Sequence, residues 1–198
     1  TIDKPFVETL RSLMNGFQSP FVPGLPRFTG GAVGYFGYDT AAWFEPAVAA
    51  PDTGPDDTDQ AGFMLFDTVL AFDHVQHRIL LIANARITGD EDLRALYQFA
   101  CTKIEFLERE LERALSLPRL AGAPPLRFES NVTQEAFEGM VRAAKEHIAA
   151  GDIYQVVLSQ RFEAEVGVDS FTVYRALRHV NPSPYMFFIR MGGRSIVG

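Results

Sequence analysis

Cysteine is nearly absent: Cys101 is the single one in 198 residues. No internal disulfide can form, and a reducing, cytoplasmic setting is expected. Tryptophan is equally scarce, with Trp43 alone. No run of 18 apolar residues occurs, and no charged start leads into an apolar stretch, so neither a membrane span nor a secretory signal is read from these residues. Positive charge is in deficit, with 18 Lys and Arg against 25 Asp and Glu and a net charge of −7. Nucleic acid and anionic membrane surfaces are therefore poor partners, because phosphate binding needs clustered cations. No repeat of fixed period is present. What the chain has in quantity is apolar mass: 47% hydrophobic residues, 17 of them Phe, enough for a packed interior. It begins at Thr1 and ends at Gly198 within the apolar run Ser195-Ile196-Val197-Gly198, and both ends read as cuts in something longer.

The periodicities predict a mixed α and β protein. A short helix is expected over residues 3–15, capped by Asp3, with Phe6, Leu10, Leu13 and Met14 on one face. Residues 28–38, FTGGAVGYFGY, read as a strand with close backbone approaches. Residues 43–62 carry Pro46, Pro51 and Pro55 with Asp52, Asp56, Asp57 and Asp59, and read as a solvated loop. Phe63–Phe72 and Arg78–Ala85 are expected to pair as a hairpin across Asp73-His74-Val75-Gln76-His77. Leu93, Leu96, Tyr97, Ala100, Ile104, Leu107 and Leu111 mark a helix over 91–115 behind Asp90 as cap. Further on, helices are expected over 133–150 (capped by Thr133) and 170–180, a strand over Ile153–Phe162, and two strands, Met186–Ile189 and Ser195–Gly198, around Gly192-Gly193. Three portions follow: 1–115, a linker over 116–130 that opens with SLPRLAGAPP (116–125), and 131–198.

Most chemical candidates have a structural explanation. Gly31, Gly34 and Gly37 are spaced GxxGxxG, which is neither a dinucleotide fingerprint nor a phosphate loop, and close strand packing explains them. His74 and His77 lie in a turn with no further metal ligands nearby. Cys101 sits beside the apolar face of a helix with no activating base, so a buried, inert thiol is expected. The acidic loop lacks calcium-loop spacing. One segment stands apart: Asn181-Pro182-Ser183-Pro184-Tyr185-Met186-Phe187-Phe188. Its two prolines make a rigid, extended entry to a strand, and Tyr and Met there offer a polarisable surface suited to an aromatic small molecule. A core-entry turn would look much the same.

Read together, GGAVGYFGYD (30–39), AGDIYQVVLSQRF (150–162), YRALRHVNPSPYMFF (174–188) and SIVG (195–198) resemble the large subunits of anthranilate synthase, within the chorismate-utilising enzymes. The resemblance runs in order over nearly the whole chain and is weakest in the linker. It implies an α+β fold of two large, roughly orthogonal sheets with helices outside, here cut at both ends. It implies a lyase reaction in which chorismate gains an amino group from ammonia and loses pyruvate, assisted by Mg²⁺. The ammonia comes from a glutamine amidotransferase partner, and L-tryptophan inhibits by feedback. Carried over residue by residue, Pro184, Tyr185 and Met186 would contact tryptophan, with Asn181, Phe187 and Gly198 flanking the same pocket; Asn181 could equally serve to end a helix. Portion 1–115 would be regulatory and partner-contacting, and 131–198 would begin the chorismate-binding portion. The family's catalytic residues and metal-holding glutamates fall beyond Gly198, and a Leu-Leu-Glu-Ser-like segment before Thr1, so no catalytic residue or metal ligand is assigned and the chain alone is expected to be inactive. Its cut sheet edge is expected to promote self-association. The alternatives are aminodeoxychorismate synthase, which shares the ammonia chemistry, the less similar isochorismate and salicylate synthases, and a non-catalytic amino-acid-binding regulatory module.

Overall fold

In the computed structural model, the structure describes residues 5–45, 47–48, 59–114 and 125–198. Asp3, most of the acidic loop (including Asp52, Asp56 and Asp57) and the centre of the linker lie outside them. Helices and antiparallel strand pairs make the class α+β, as the resemblance implies. Two compact units are formed, Thr1–Ser116 and Leu117–Gly198.

The first unit opens with helix α1, Phe6–Asn15. It begins behind Pro5, whose fixed φ suits the approach to a helix and whose carbonyl accepts from Thr9 N at 3.1 Å. Strand β1, Gly31–Phe36, pairs with β2, Ala61–Phe66, placing Gly34 opposite Phe63. A Cβ on Gly34 would overlap the Gly62 carbonyl oxygen and lie 2.7 Å from Phe63 Cα, so glycine here sets how closely the two strands approach. A 3-10 turn, Tyr38–Trp43, which periodicity did not announce, brings Trp43 and Phe44 back toward this pair. Phe6, Phe36, Trp43, Phe44 and Phe63 then form a chain of tilted and edge-on ring contacts with centroids 5.1–6.1 Å apart.

The run read as a single strand over 63–72 is two strands. Between β2 and β3, Thr68–Asp73, the chain bends at Asp67, and the two strands take different partners: β3 pairs with β4, Arg78–Ala83, as the expected hairpin. Asn84 organises the bend. Its backbone N donates to Asp67 O at 2.7 Å and its side-chain amide donates to Asp67 O and Thr29 O at 3.1 and 2.6 Å. A sequence of unbroken β-formers carries no sign of a change of partner, because both halves satisfy the same alternation.

Helix α2, Leu93–Glu112, packs against β4. Its cap is Asp92 rather than Asp90, accepting from Arg94 N and Ala95 N at 2.9 and 3.3 Å. The preceding turn is occupied by Glu91, whose carboxylate takes the amides of Thr88 and Gly89 and leaves Asp92 at the helix mouth. Lys103 Nζ reaches Asp67 Oδ2 at 2.6 Å, tying α2 to the bend, and this hydrogen bond holds the Asp67 carboxyl below its usual range.

In the second unit α3, Gln134–Ala150, has the expected Thr133 cap and ends on a left-handed Gly151, φ 84°. The expected strand over Ile153–Phe162 shrinks to β6, Phe162–Glu163, paired with β5, Glu129–Ser130. Tyr154 and Val157 stand 93% and 82% exposed, and among the described residues no ladder partner lies along 153–159. Helix α4, Ser170–Val180, is as predicted. The closing hairpin is β7, Phe188–Met191, and β8, Arg194–Val197, shifted from the predicted limits because Gly192 and Gly193, φ 57° and 79°, form a two-residue turn that fixes Met191 opposite Arg194.

Candidate functional site

The segment singled out in the sequence is a loop that joins α4 to β7. Asn181 ends α4, its backbone N donating to Leu177 O at 2.9 Å, so the helix-terminating role is fulfilled by its main chain. Pro182 then prevents continuation of the helix. Ser183 Oγ accepts from Tyr185 N at 3.3 Å, closing a small turn around Pro184. This turn presents Tyr185 outward at 87% exposure, while Met186 is half-buried. Phe187 and Gly198 are brought together, exchanging two backbone hydrogen bonds of 2.8 and 3.1 Å just beyond the ends of β7 and β8. Thus Pro184, Tyr185, Met186 and Phe187 occupy one short loop and Gly198 joins them through Phe187.

The two elements that flank the loop are clasped to each other, by residues that sequence reading did not single out. Asp169 caps α4 through Oδ2, which accepts from Phe171 N at 2.8 Å. Its other oxygen, Oδ1, accepts from Arg190 Nη2 on β7 at 2.9 Å. Arg190 Nη2 also donates to Ser170 Oγ at 3.3 Å, and Ser170 Oγ donates to Ser195 Oγ on β8 at 2.9 Å. Phe171, Tyr174 and Phe188 pack ring on ring beneath this clasp at 5.3–5.9 Å, and the Arg190 guanidinium lies 5.3 Å from the Phe188 centroid. An acidic residue before a helix announces the cap, but nothing in the sequence announces that its second oxygen reaches across to Arg190.

Close strand approach explains Gly34 and Gly37. A Cβ on Gly37 would come 2.9 Å from Gln60 O, so this glycine too serves close strand approach. His74 and His77 lie exposed in the β3–β4 turn, and His77 takes a left-handed φ of 51°. Cys101 is half-buried rather than buried, and its thiol, hydrogen-bonded to Tyr97 one helical turn earlier, pushes that phenol's pKa up. A cleft of about 290 Å³ lies between Leu25, Pro26, Phe72 and Leu80, with Asp73 at its rim. The Asp73 carboxylate is already engaged by Val75 N, Gln76 N and Arg78 Nε, which leaves it little capacity for a ligand. Among the described residues no three His, Cys, Asp or Glu side chains gather as a metal-holding set, and no helix is long and apolar enough to cross a membrane.

Residues 3–198 match the family described as chorismate binding enzyme. The chain belongs to the chorismate-binding enzymes. Similar members include anthranilate synthase component 1 of Acetivibrio thermocellus, 38% identical over 97% of this chain and 40% of the relative. Its counterpart from Saccharomyces cerevisiae is 39% identical over 97% and 39%. The crystal structure of anthranilate synthase component I from Streptococcus pneumoniae TIGR4 superposes with a TM-score of 0.73 at 32% identity, over all of this chain and 43% of that one. The chain thus spans about two fifths of the length of the relatives it matches.

Proposed function

We propose that this chain is part of an anthranilate synthase component 1, a lyase that converts chorismate and ammonia to anthranilate and pyruvate in tryptophan biosynthesis, inhibited by L-tryptophan. The observation that carries this reading is the continuous similarity to component 1 relatives over 97% of the chain, across both units. The relatives' name, component 1, supports a second component, for which a glutamine amidotransferase supplying ammonia is the partner we propose. Residues 1–115 form the regulatory and partner-contacting portion, 116–130 the linker and 131–198 the beginning of the chorismate-binding portion. Within the last, Pro184, Tyr185 and Met186 form a wall for the tryptophan indole, with Asn181, Phe187 and Gly198 beside it. A rigid loop that holds an exposed phenol next to a half-buried thioether matches the flat face of an aromatic ligand.

Mg²⁺ is proposed for the whole protein, which we place in the cytoplasm. The described residues supply no cluster fitted to hold it, so no step is derived through the ion. The 198 residues alone do not carry out the reaction. With chorismate, ammonia and Mg²⁺ they are expected to yield no fluorescent anthranilate, and turnover near ~10 s⁻¹ would refute this. For the whole protein the product decides: anthranilate with release of pyruvate supports the assignment, whereas aminodeoxychorismate with pyruvate retained points to the folate-pathway relative.

A further inference from the structure

We infer that Asp169, Arg190, Ser170 and Ser195 are positioning residues that set the conformation of the loop 181–187, and through it the affinity for the aromatic effector. The inference rests on the tryptophan reading of that loop for its ligand, but not for its mechanics. From Asp169 the chain runs along α4, through the loop and into β7 to Arg190, where the 2.9 Å ion pair returns to Asp169 and closes a ring. The Ser170–Ser195 hydrogen bond, which is partly buried, fastens the same helix turn to β8. Two of the ring's three sides are regular elements held face to face by Phe171, Tyr174 and Phe188. The loop is the remaining side, and its span is whatever the clasp allows. When the clasp opens, α4 slides or tilts on the hairpin, and the first backbone to respond is the loop that bridges them.

The clasp is half exposed, so its effect is graded rather than all-or-none. Asp169→Asn keeps a competent helix cap while removing the charge, and Arg190→Gln removes it from the other side. In the 198-residue chain, hydrogen–deuterium exchange of amides in 185–187 is expected to rise about two- to fivefold in either variant, with α3 unchanged. Arg190→Lys is expected to restore part of the protection, since it keeps the charge but loses the planar fork. Unchanged exchange in the loop overturns the inference, and so does a uniform rise across α3 and both hairpins, which would make the clasp a general support of the unit. Because the ligand reading concerns the whole protein, L-tryptophan is titrated in parallel at millimolar concentrations against the whole protein and its Arg190→Gln variant. Weaker binding by the variant in step with the loop's exchange supports the full inference. Altered exchange with no tryptophan binding by the whole wild-type protein sustains the clasp and retires the ligand reading instead.

Discussion

Phe187 and Gly198 hold each other twice through the backbone, and the Phe187 ring lies directly over the Gly198 Cα. A Cβ built on Gly198 would come within 2.5 Å of the ring's Cζ and 2.8 Å of Cε1. Phe187 is 46% exposed, so its ring has room to swing outward when something larger than hydrogen arrives. Gly198→Val is therefore expected to displace the ring and disturb the loop while leaving the β7–β8 ladder intact. Two-dimensional NMR checks this: the Phe187 ring and the Met186 methyl should shift, and the Ile189 and Ile196 amides should not.

Gly34 has no such escape, because its neighbours are backbone. Gly34→Ala is expected to destabilise the first unit by about 1–3 kcal/mol, since strands β1 and β2 must separate to admit the methyl. Gly139 is the contrasting case. It lies inside α3 with only the end of the Arg142 side chain 3.9 Å from a built Cβ, and Gly139→Ala is expected to stabilise by about 0.5–1 kcal/mol. Urea denaturation of the two variants against wild type should move the midpoints in opposite directions.

What could be read from sequence follows from where the information is local. Thr133 and Gly151 bracket α3, and the turn at Gly192-Gly193 was legible, because caps and left-handed turns are decided by a few adjacent residues. The bend at Asp67 and the run at 153–159, which has no strand partner among the described residues, were not, because a strand exists only by virtue of a partner supplied from elsewhere. The same holds at the site. The proline-rich loop was visible as an anomaly, but the Asp169–Arg190 clasp joins residues 21 apart and leaves no trace in spacing. The family resemblance placed the whole chain correctly, since long ordered motifs carry the long-range information that periodicity lacks.

Glu91 provides a pH-dependent prediction. Thr88's hydroxyl and the Gly89 amide both donate to its carboxylate, lowering its pKa from 4.5 to about 2. A depressed folded-state pKa stabilises above the unfolded value and ceases to do so as the pH falls through the folded one. Glu91→Gln should thus be less stable than wild type at neutral pH, and the gap should narrow from pH 4.5 downward toward 2. Thermal melts followed by circular dichroism across that range test the sign. A gap independent of pH would assign the loss to packing rather than to charge.

Exposed apolar surface points to association of the isolated chain. Among the described residues Ile82 is the one buried apolar side chain, while Phe21, Val157 and Val180 stand 80–88% exposed. Surface of this kind is normally covered. At tens of micromolar the chain is expected to self-associate and to bind an apolar fluorescent dye, with light scattering giving a mass above 22 kDa. A monodisperse monomer without dye binding would show that these side chains are tolerated in water.

Met186 offers the most direct test of the site. Its thioether is half-buried in a loop that otherwise exposes its side chains, so it is the residue best placed to contact a ring lying against Tyr185. Sulfur–aromatic contact and the apolar area of a methionine together are worth about 1–2 kcal/mol in such a setting. Threonine keeps neither the length nor the polarisability. In the whole protein Met186→Thr is expected to weaken tryptophan inhibition about tenfold, since each ~1.4 kcal/mol is one decade of affinity. The turnover number without tryptophan should be preserved, because no reacting group is assigned to the loop. Tryptophan titrations of wild type and variant, read as residual anthranilate formation, separate the possibilities. If both are inhibited equally, Met186 is packing and the assignment of Pro184 and Tyr185 to the pocket fails with it. If turnover collapses along with inhibition, the loop supports the catalytic portion instead of sensing the end product.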